Sequence, residues 1–452
     1  MKSIGLDIGT TTICGIVFDA DKGDVVSYQT LPNDSELNEC DNFEKLQDAN
    51  RILDICNQIV DRFIKEYDDI TNIGVTGQMH GILYLDVEGK PVSSLYSWQD
   101  KRGNLSYTDQ LTYSEYMTNI SGYSMATGYG LTTHYYHIVC DKVPKEAVCL
   151  CTIPDFIAMR LAGKKRPIMH KSMAASLGLF SLEKGRFDEN ALEKLGIGME
   201  YLPEVAAVES NYERNSRGLS VSIALGDNQA SFLGSVSPGS NILVNIGTGS
   251  QISVFSETYH KDVEIEYRPF IQDTYLMVGA PLCGGSAYEM LMNFYVKVLE
   301  LFHGEVPNNM YEIMNQAASG VYGEVNQPVV DTRFNGTRTN PKLRGSIRQL
   351  GFENFTPENL TLGILQGICD ELYDIYRNVP KSDQDSKVMI GSGNGIRKNP
   401  VLKKIIENRF GKKMYTPIFE EEASCGAALF SLYCSGYFQS IEEIQKMIQT
   451  HR

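Results

Sequence analysis

Ile4 to Phe18 reads Ile-Gly-Leu-Asp-Ile-Gly-Thr-Thr-Thr-Ile-Cys-Gly-Ile-Val-Phe: an apolar, β-branched run, a short stop of glycine and threonine, and a second apolar run. Ile242 to Phe255 repeats the pattern as Ile-Leu-Val-Asn-Ile-Gly-Thr-Gly-Ser-Gln-Ile-Ser-Val-Phe, with Asn245 where the first copy has Asp7. Each copy predicts strand, tight turn, strand. Between Phe43 and Glu66 the apolar residues fall at Ile52, Ile55, Ile59 and Phe63, a helical spacing. Strand-like Ile73 to Thr76 and Ile82 to Leu85 follow, then a return turn at Glu88-Gly-Lys-Pro91 and a short run ending at Trp98. From about 104 to 215 the pattern is ambiguous, apart from helices at Pro154 to Leu161 and Phe187 to Leu195.

Val221 to Asp227 predicts another strand, with a helix directly after it from Gln229. Ser235-Val-Ser-Pro-Gly-Ser-Asn241 is small, polar and contains Pro-Gly, so it reads as a linker. Domains at 1–234 and 235–452 are therefore expected, each opened by one copy of the hairpin or its echo. In the second half, Thr361 to Tyr376 is strongly periodic, Lys387 to Ile390 is a strand running into glycines, and Ala423 to Tyr433 is a helix with a small-residue face.

With 452 residues the chain has room for two to four domains. Its net charge of −15 and the absence of a basic block argue against nucleic acid or an anionic membrane as a partner. Ten cysteines are scattered without Cys-x-x-Cys spacing, which fits reduced core residues of a cytoplasmic protein. No apolar segment is long enough to span a bilayer.

The hairpin turns are candidate phosphate sites. Gly9 and Gly247 can take positive φ and admit a phosphate to the backbone, while Thr10, Thr11, Thr248 and Ser250 add hydroxyl donors. Asp7 could hold Mg²⁺ beside the first turn, because magnesium takes one or two carboxylates and completes its shell with phosphates and water. Asp227 has two readings: an N-cap for the helix that follows, or a strand-end base accepting a proton from an attacking hydroxyl. Gln78-Met79-His80 and Trp98-Gln99-Asp100, with Arg102, stand after strands, where open α/β sheets keep their ligand groups. Their mixture of hydroxyl-bonding groups and one apolar wall suits a sugar. Gly391-Ser-Gly393-Asn394-Gly can approach a nucleoside closely, and no P-loop sequence occurs anywhere. His134 and His137 lack companion ligands and are expected to be structural.

Taken in order, Asp7-Ile-Gly-Thr-Thr, Gly77-Gln-Met-His-Gly, Trp98-Gln-Asp-Lys-Arg, Gly226-Asp-Asn-Gln-Ala, Asn245-Ile-Gly-Thr-Gly-Ser, Gly279-Ala-Pro-Leu-Cys-Gly-Gly285, Gly336-Thr-Arg-Thr-Asn-Pro341 and Gly391-Ser-Gly-Asn-Gly resemble the FGGY carbohydrate kinases of the actin-like ATPase superfamily, over essentially the whole chain. The resemblance implies an α/β fold of two ribonuclease H-like domains flanking an interdomain active-site cleft. It implies ATP and Mg²⁺ as cofactors, and a small-molecule ketose as substrate. Asp227 becomes the catalytic base and, with Asp7, a metal-site residue. Gly9, Thr10, Thr11, Thr12, Gly247, Thr248, Gly249, Ser250, Gly391, Gly393 and Asn394 become nucleotide contacts. Gln78, Met79, His80, Trp98, Gln99, Asp100, Arg102, Asn228 and Gln229 become sugar contacts. Within the family, Trp-Gln-Asp and the stretch Val330 to Gly345 look closer to sedoheptulokinases than to xylulokinases, while the Gly-Thr-Gly-Ser turn and the short chain depart from them. A non-kinase ATPase and a silent sugar-binding regulator are the rival classes, and a homodimer is left open.

Overall fold

The computed structural model describes residues 1–37, 41–302, 304–337, 340 and 342–451. The chain forms two compact units. The first comprises Met1–Gly234, Arg268–Tyr275 and Glu421–Ile448, and the second Ser235–Tyr267, Leu276–Glu420 and Gln449–Arg452. The stretches from Arg268 and from Glu421 thus lie, in sequence, inside the range expected for the second domain.

In the first unit the strands Lys2–Ile8, Thr12–Asp19 and Asp24–Pro32 form an antiparallel meander. Lys2–Ile8 also pairs in parallel with Ile70–Gly77, which carries the short parallel strands Ser220–Val221 and Leu225–Gly226 on its other side. The helix of the 43–66 region starts only at Ala49, because the Asp48 carboxylate accepts from the amides of Asn50 and Arg51 and caps it there. Leu46–Gln47 before it pairs instead with Leu95–Tyr96. Ile52, Ile55, Ile59 and Phe63 are all fully buried, each contributing about 1.5–3 kcal/mol of transfer free energy. The region of ambiguous pattern holds three further helices, Tyr113–Ser121, Gly130–Val139 and Lys171–Ser176.

The second unit repeats the motif. Ser240–Ile246 pairs antiparallel with Ser250–Ser256 and parallel with Val388–Ser392, which in turn carries Lys413–Pro417. The long helix Pro357–Tyr376 begins earlier than its periodicity indicated, since Thr356 caps it and Pro357 occupies the first position.

Helix Glu422–Cys434 packs backbone against backbone on the first unit's sheet and on helix Asp227–Leu233. A Cβ built on Gly5 would lie 1.9 Å from the Ser424 carbonyl oxygen, one on Gly74 1.8 Å from that of Ala427, and one on Gly426 1.8 Å from that of Ala230. None of these contacts could be relieved by a side-chain rotation. Ser3 and Ser431 share a hydrogen bond between their hydroxyls (2.6 Å), and Asn72 Nδ2 donates to the Ser431 carbonyl (3.1 Å), so the polar backbone at this contact is satisfied. Gly74→Ala is expected to destabilise the protein by roughly 2–4 kcal/mol or to prevent folding. Gly247→Ala, where a Cβ meets nothing within 4 Å, should leave the melting temperature close to wild type. Thermal unfolding of the two variants measures the contrast.

Candidate active site

Register places the candidate acids on one edge of the first unit's sheet. Asp7 is paired with Thr76 and Ile8 with Gly77, and on the other side of the same strand Leu225 is paired with Thr76 and Gly226 with Gly77. Asp7, Gln78 and Asp227 therefore stand at the carboxyl ends of three adjacent parallel strands, where such sheets hold their ligand groups. Asp227 is the first residue of helix Asp227–Leu233, and the capping position is Gly226, which makes no side-chain cap bond. The N-cap reading of Asp227 is therefore not what the chain does. Its Oδ1 accepts instead from the neighbouring Asn228 amide (2.6 Å).

Burial first, then the carboxylates of Asp227 and Glu421, push the Asp7 carboxyl up to about 7. Burial also raises Asp227, with Arg268 and the Asn228 amide working against the shift. Asp7 thus experiences two like charges, an arrangement that a divalent cation would relieve. Among the described residues no group of three or more metal-binding side chains converges.

The candidate sugar residues separate by exposure. Trp98 is 45% exposed and Gln99 is exposed, while His80 is partly exposed. Trp98 Nε1 donates to Thr10 Oγ1 (3.1 Å), and Gln47 Nε2 to the Thr10 carbonyl (3.1 Å), so the first hairpin and the Trp98 segment are joined. Gln78 is buried and donates from Nε2 to Gln47 Oε1 (2.9 Å). His80 stands at φ 72°, with its ring stacked on Tyr129 at 4.8 Å. Met79 belongs to the apolar core, and Asn228 and Gln229 are buried, the latter donating to the Pro269 carbonyl (2.9 Å).

Asp100 and Arg102 are also buried, and they are committed to each other. Arg102 Nε donates to Asp100 Oδ1 (2.7 Å) and Nη2 to Oδ2 (3.0 Å), with a further bond to Glu44 (3.2 Å) and the guanidinium over the Tyr96 ring at 4.3 Å. Arg102 Nη1 donates to His137 Nε2. Arginine cannot accept, so the His137 proton is on Nδ1 and donates to Tyr84 Oη (3.0 Å), whose hydroxyl donates on to His134 Nδ1 (2.8 Å). Burial pushes His134 down to about 4, and burial with the nearby Arg102 charge lowers His137 further. The two histidines expected to be structural are neutral supports of Arg102. Asp100 and Arg102 in turn shape the segment that presents Trp98 and Gln99.

In the second unit, pairing of Ile246 with Ser250 leaves Gly247, Thr248 and Gly249 as the turn, with Thr248 and Gly249 exposed. Ser250 is buried and donates to the Cys283 carbonyl (2.8 Å). Gly393, at φ 82°, lies against the Ile246 carbonyl and Asn245, so the Gly391–Asn394 segment and this turn occupy the same end of two neighbouring parallel strands. Neither Gly247 nor Gly9 adopts the positive φ that the sequence allowed. Gly9 is needed for space instead, since a Cβ there would meet the Thr12 carbonyl oxygen at 2.7 Å. Thr11 and Thr12 of the first turn are exposed and Thr10 partly so. Of the 336–341 segment, Gly336, Thr337 and Asn340 are described, with Thr337 on the wall of a cavity of about 500 Å³. Arg338, Thr339 and Pro341 lie outside the described residues, as does Cys40.

The sequence pattern marked neither Glu421 nor Arg268, and Gly284 and Gly285 stood within a quoted family motif without being given a role. Glu421 and Arg268 act on Asp7 and Asp227 electrostatically. Gly284 and Gly285 hold the second turn: the Gly285 amide donates to the Gly247 carbonyl (2.9 Å), and a Cβ on Gly284 would lie 2.4 Å from Gly249. Their doublet at the head of the apolar helix Gly285–Leu301 was the available signal.

Residues 3–234 match the N-terminal domain, and residues 242–434 the C-terminal domain, of the FGGY family of carbohydrate kinases. The chain is 26% identical to the sedoheptulokinase of Mus musculus over 95% of this chain and 97% of that protein. It is 24% identical to the xylulose kinase of Staphylococcus xylosus over 98% and 93% of the two chains. Among solved structures, the gluconate kinase of Lactobacillus acidophilus superposes with a TM-score of 0.85 at 18% identity, covering all of this chain and 92% of the other, which shows the α/β actin-like ATPase fold. With both family models covering most of its length, the chain belongs to the FGGY family of carbohydrate kinases and is an ATP-dependent phosphotransferase.

Proposed function

We propose that the protein transfers the γ-phosphoryl group of ATP to the terminal hydroxyl of a ketose, with sedoheptulose as the substrate and sedoheptulose 7-phosphate as the product. The observation that carries the reading is the row of Asp7, Gln78 and Asp227 at the ends of adjacent strands, one acid on each side of the polar segment that continues into His80. Similarity along nearly the whole chain to a sedoheptulokinase favours the seven-carbon sugar. D-Xylulose is the second reading, favoured by the xylulose kinase relatives and by Gln78-Met-His-Gly.

Asp227 accepts the proton of the sugar hydroxyl as its oxygen bonds to the γ-phosphorus and the bond from that phosphorus to the β-bridging oxygen breaks. The raised affinity of Asp227 for a proton suits this task. Asp7, with Asp227 nearby, would hold Mg²⁺, which supplies neutralisation of phosphate charge when bound. Trp98 and Gln99 line the sugar, His80 bonds its hydroxyls, and Asp100 and Arg102 keep that segment in place. Thr11, Thr12 and the Gly247–Ser250 turn contact phosphates, and Gly391, Gly393 and Asn394 contact the nucleoside. Catalysis here consists of positioning and electrostatics, as phosphoryl transfer requires.

Asp227→Asn should bind ADP as wild type does and lose about 10²–10⁴-fold in kcat; near-normal turnover would remove Asp227 from the role of base. Across sedoheptulose, D-xylulose, D-ribulose, L-xylulose, L-ribulose and glycerol, kcat/KM for sedoheptulose should be the highest, and a large preference for a five-carbon ketose would replace the seven-carbon reading. The Asp7 carboxyl titrates near 3.8 in an unfolded chain and at about 7 when folded, so the stability its proton contributes is full below about 4 and lost as pH rises through about 7. In EDTA, Asp7→Asn is therefore expected to melt roughly 2–6 °C above wild type at pH 8, the gap closing towards pH 4. A gap that does not vary with pH would contradict the upward shift that burial and the two neighbouring acids give Asp7.

A further inference from the structure

Helix Lys171–Ser176 is short, and none of the motifs quoted for the family includes it, yet it reaches both the His80 segment and the residues before Asp227. The Gly226 amide donates to Ser172 Oγ (3.0 Å). Ser172 Oγ lies 2.7 Å from His170 Nδ1, and the Ser172 amide donates to the same nitrogen (3.1 Å). An amide can only donate, so Nδ1 carries no proton. His170 is therefore neutral with its proton on Nε2, which faces Glu209 Oε1 at 3.7 Å, and the Ser172 hydroxyl hydrogen points to Nδ1. The direction of the string is fixed as far as the imidazole, Gly226 N–H to Ser172 Oγ and Ser172 O–H to His170 Nδ1, while His170 Nε2–H faces Glu209 from beyond hydrogen-bond distance. Glu209 is held in turn by the Gln272 amide (3.0 Å), and the His170 ring packs edge-on to Phe430 at 5.7 Å.

A serine, a histidine and a glutamate in line are the ingredients of a nucleophile. Here that role is excluded, because Ser172 is 1% exposed and its oxygen already accepts from Gly226. What the string does is fix a peptide. On the preceding residue, Thr76 Oγ1 donates to the Leu225 carbonyl (2.7 Å), so two hydroxyls hold the two residues that lead into Asp227. At the other end of the same helix, Ser176 Oγ accepts from the His80 amide (3.2 Å), and the Ser176 carbonyl accepts from His80 Nδ1 (2.7 Å).

We propose that Ser172, held by His170, is a positioning residue that sets the aim of the Asp227 carboxylate, and that helix Lys171–Ser176 keeps it in register with His80. The inference rests on the reading of Asp227 as the base. A misplacement of about 1 Å at a reacting group can cost on the order of 10²-fold in rate, so a single lost hydrogen bond on this peptide is enough to matter.

The test is a double-mutant cycle in steady-state kinetics with the full-length protein. Ser172→Ala is expected to lower kcat about 10–100-fold with KM for ATP unchanged, Ser172→Thr to restore it to within about threefold, and Ser172→Ala in the Asp227→Asn background to cost nothing further. Normal kcat in Ser172→Ala, or an equal loss in both backgrounds, overturns the positioning role while leaving Asp227 untouched. Normal turnover in Asp227→Asn alone overturns the base reading instead. Should Ser172→Ala fail to fold, ¹⁵N NMR of wild-type His170 still decides: Nε2 protonated and Nδ1 bare is expected, and a proton on Nδ1 refutes the string.

Discussion

The first unit depends on the absence of Cβ atoms at Gly5, Gly74 and Gly426. Helix Glu422–Cys434 lies so close to the sheet that its carbonyl oxygens occupy the space where side chains of the central strands would begin. Close packing of this kind leaves little freedom for the helix to slide, because the nearest atoms are backbone. The first residue before that helix is Glu421, and its charge is felt at Asp7. A contact that looks purely structural thus also decides which charges surround the end of the first strand.

That strand end is locally unfavourable. Two further acids act on Asp7, and at Asp227 Arg268 and the Asn228 amide counter the shift without cancelling it. Folding alone would not select such an arrangement, and conflicts of this sort gather where a protein works. The neighbouring side chains show the opposite condition. Arg102, Asp100, Glu44, His137, Tyr84 and His134 form a network in which nearly every bond direction is dictated by a donor that cannot accept. The support beneath the Trp98 segment is hydrogen-bonded within the protein from Asp100 through Arg102 and His137 to Tyr84 and His134 Nδ1, and His134 Nε2 at its far end is the one member buried without a partner among the described residues.

Much of this was legible in the sequence. Both hairpins, the helix around Ile52 to Phe63 and the strand-to-helix step at Asp227 are local features, set by periodicity and by turn residues within a few positions of one another. The limits of legibility were equally physical. Asp48 ended the reach of an apolar pattern that continued back to Phe43, because a cap outweighs periodicity at a helix boundary. Asp100 and Arg102 carry the composition of ligand contacts, but two residues apart and bidentate they satisfy each other and become a buried support. Glu421, Arg268, Ser172 and His170 act through contacts between segments distant in sequence. Such partners leave no trace in spacing, and the ambiguous 104–215 region hid the helix that carries Ser172 and that His170 caps.

The glycine-lined contact also divides the molecule by how freely its sequence can drift. Positions such as Gly5 and Gly74 admit one residue type, so the strand ends that carry Asp7 and Gln78 are held almost rigidly constant in space. Trp98 and Gln99 stand on an exposed segment whose backbone is fixed from below, so their side chains can change without disturbing that support. Residues that face outward from this segment can therefore vary while the strand ends beneath them keep their geometry.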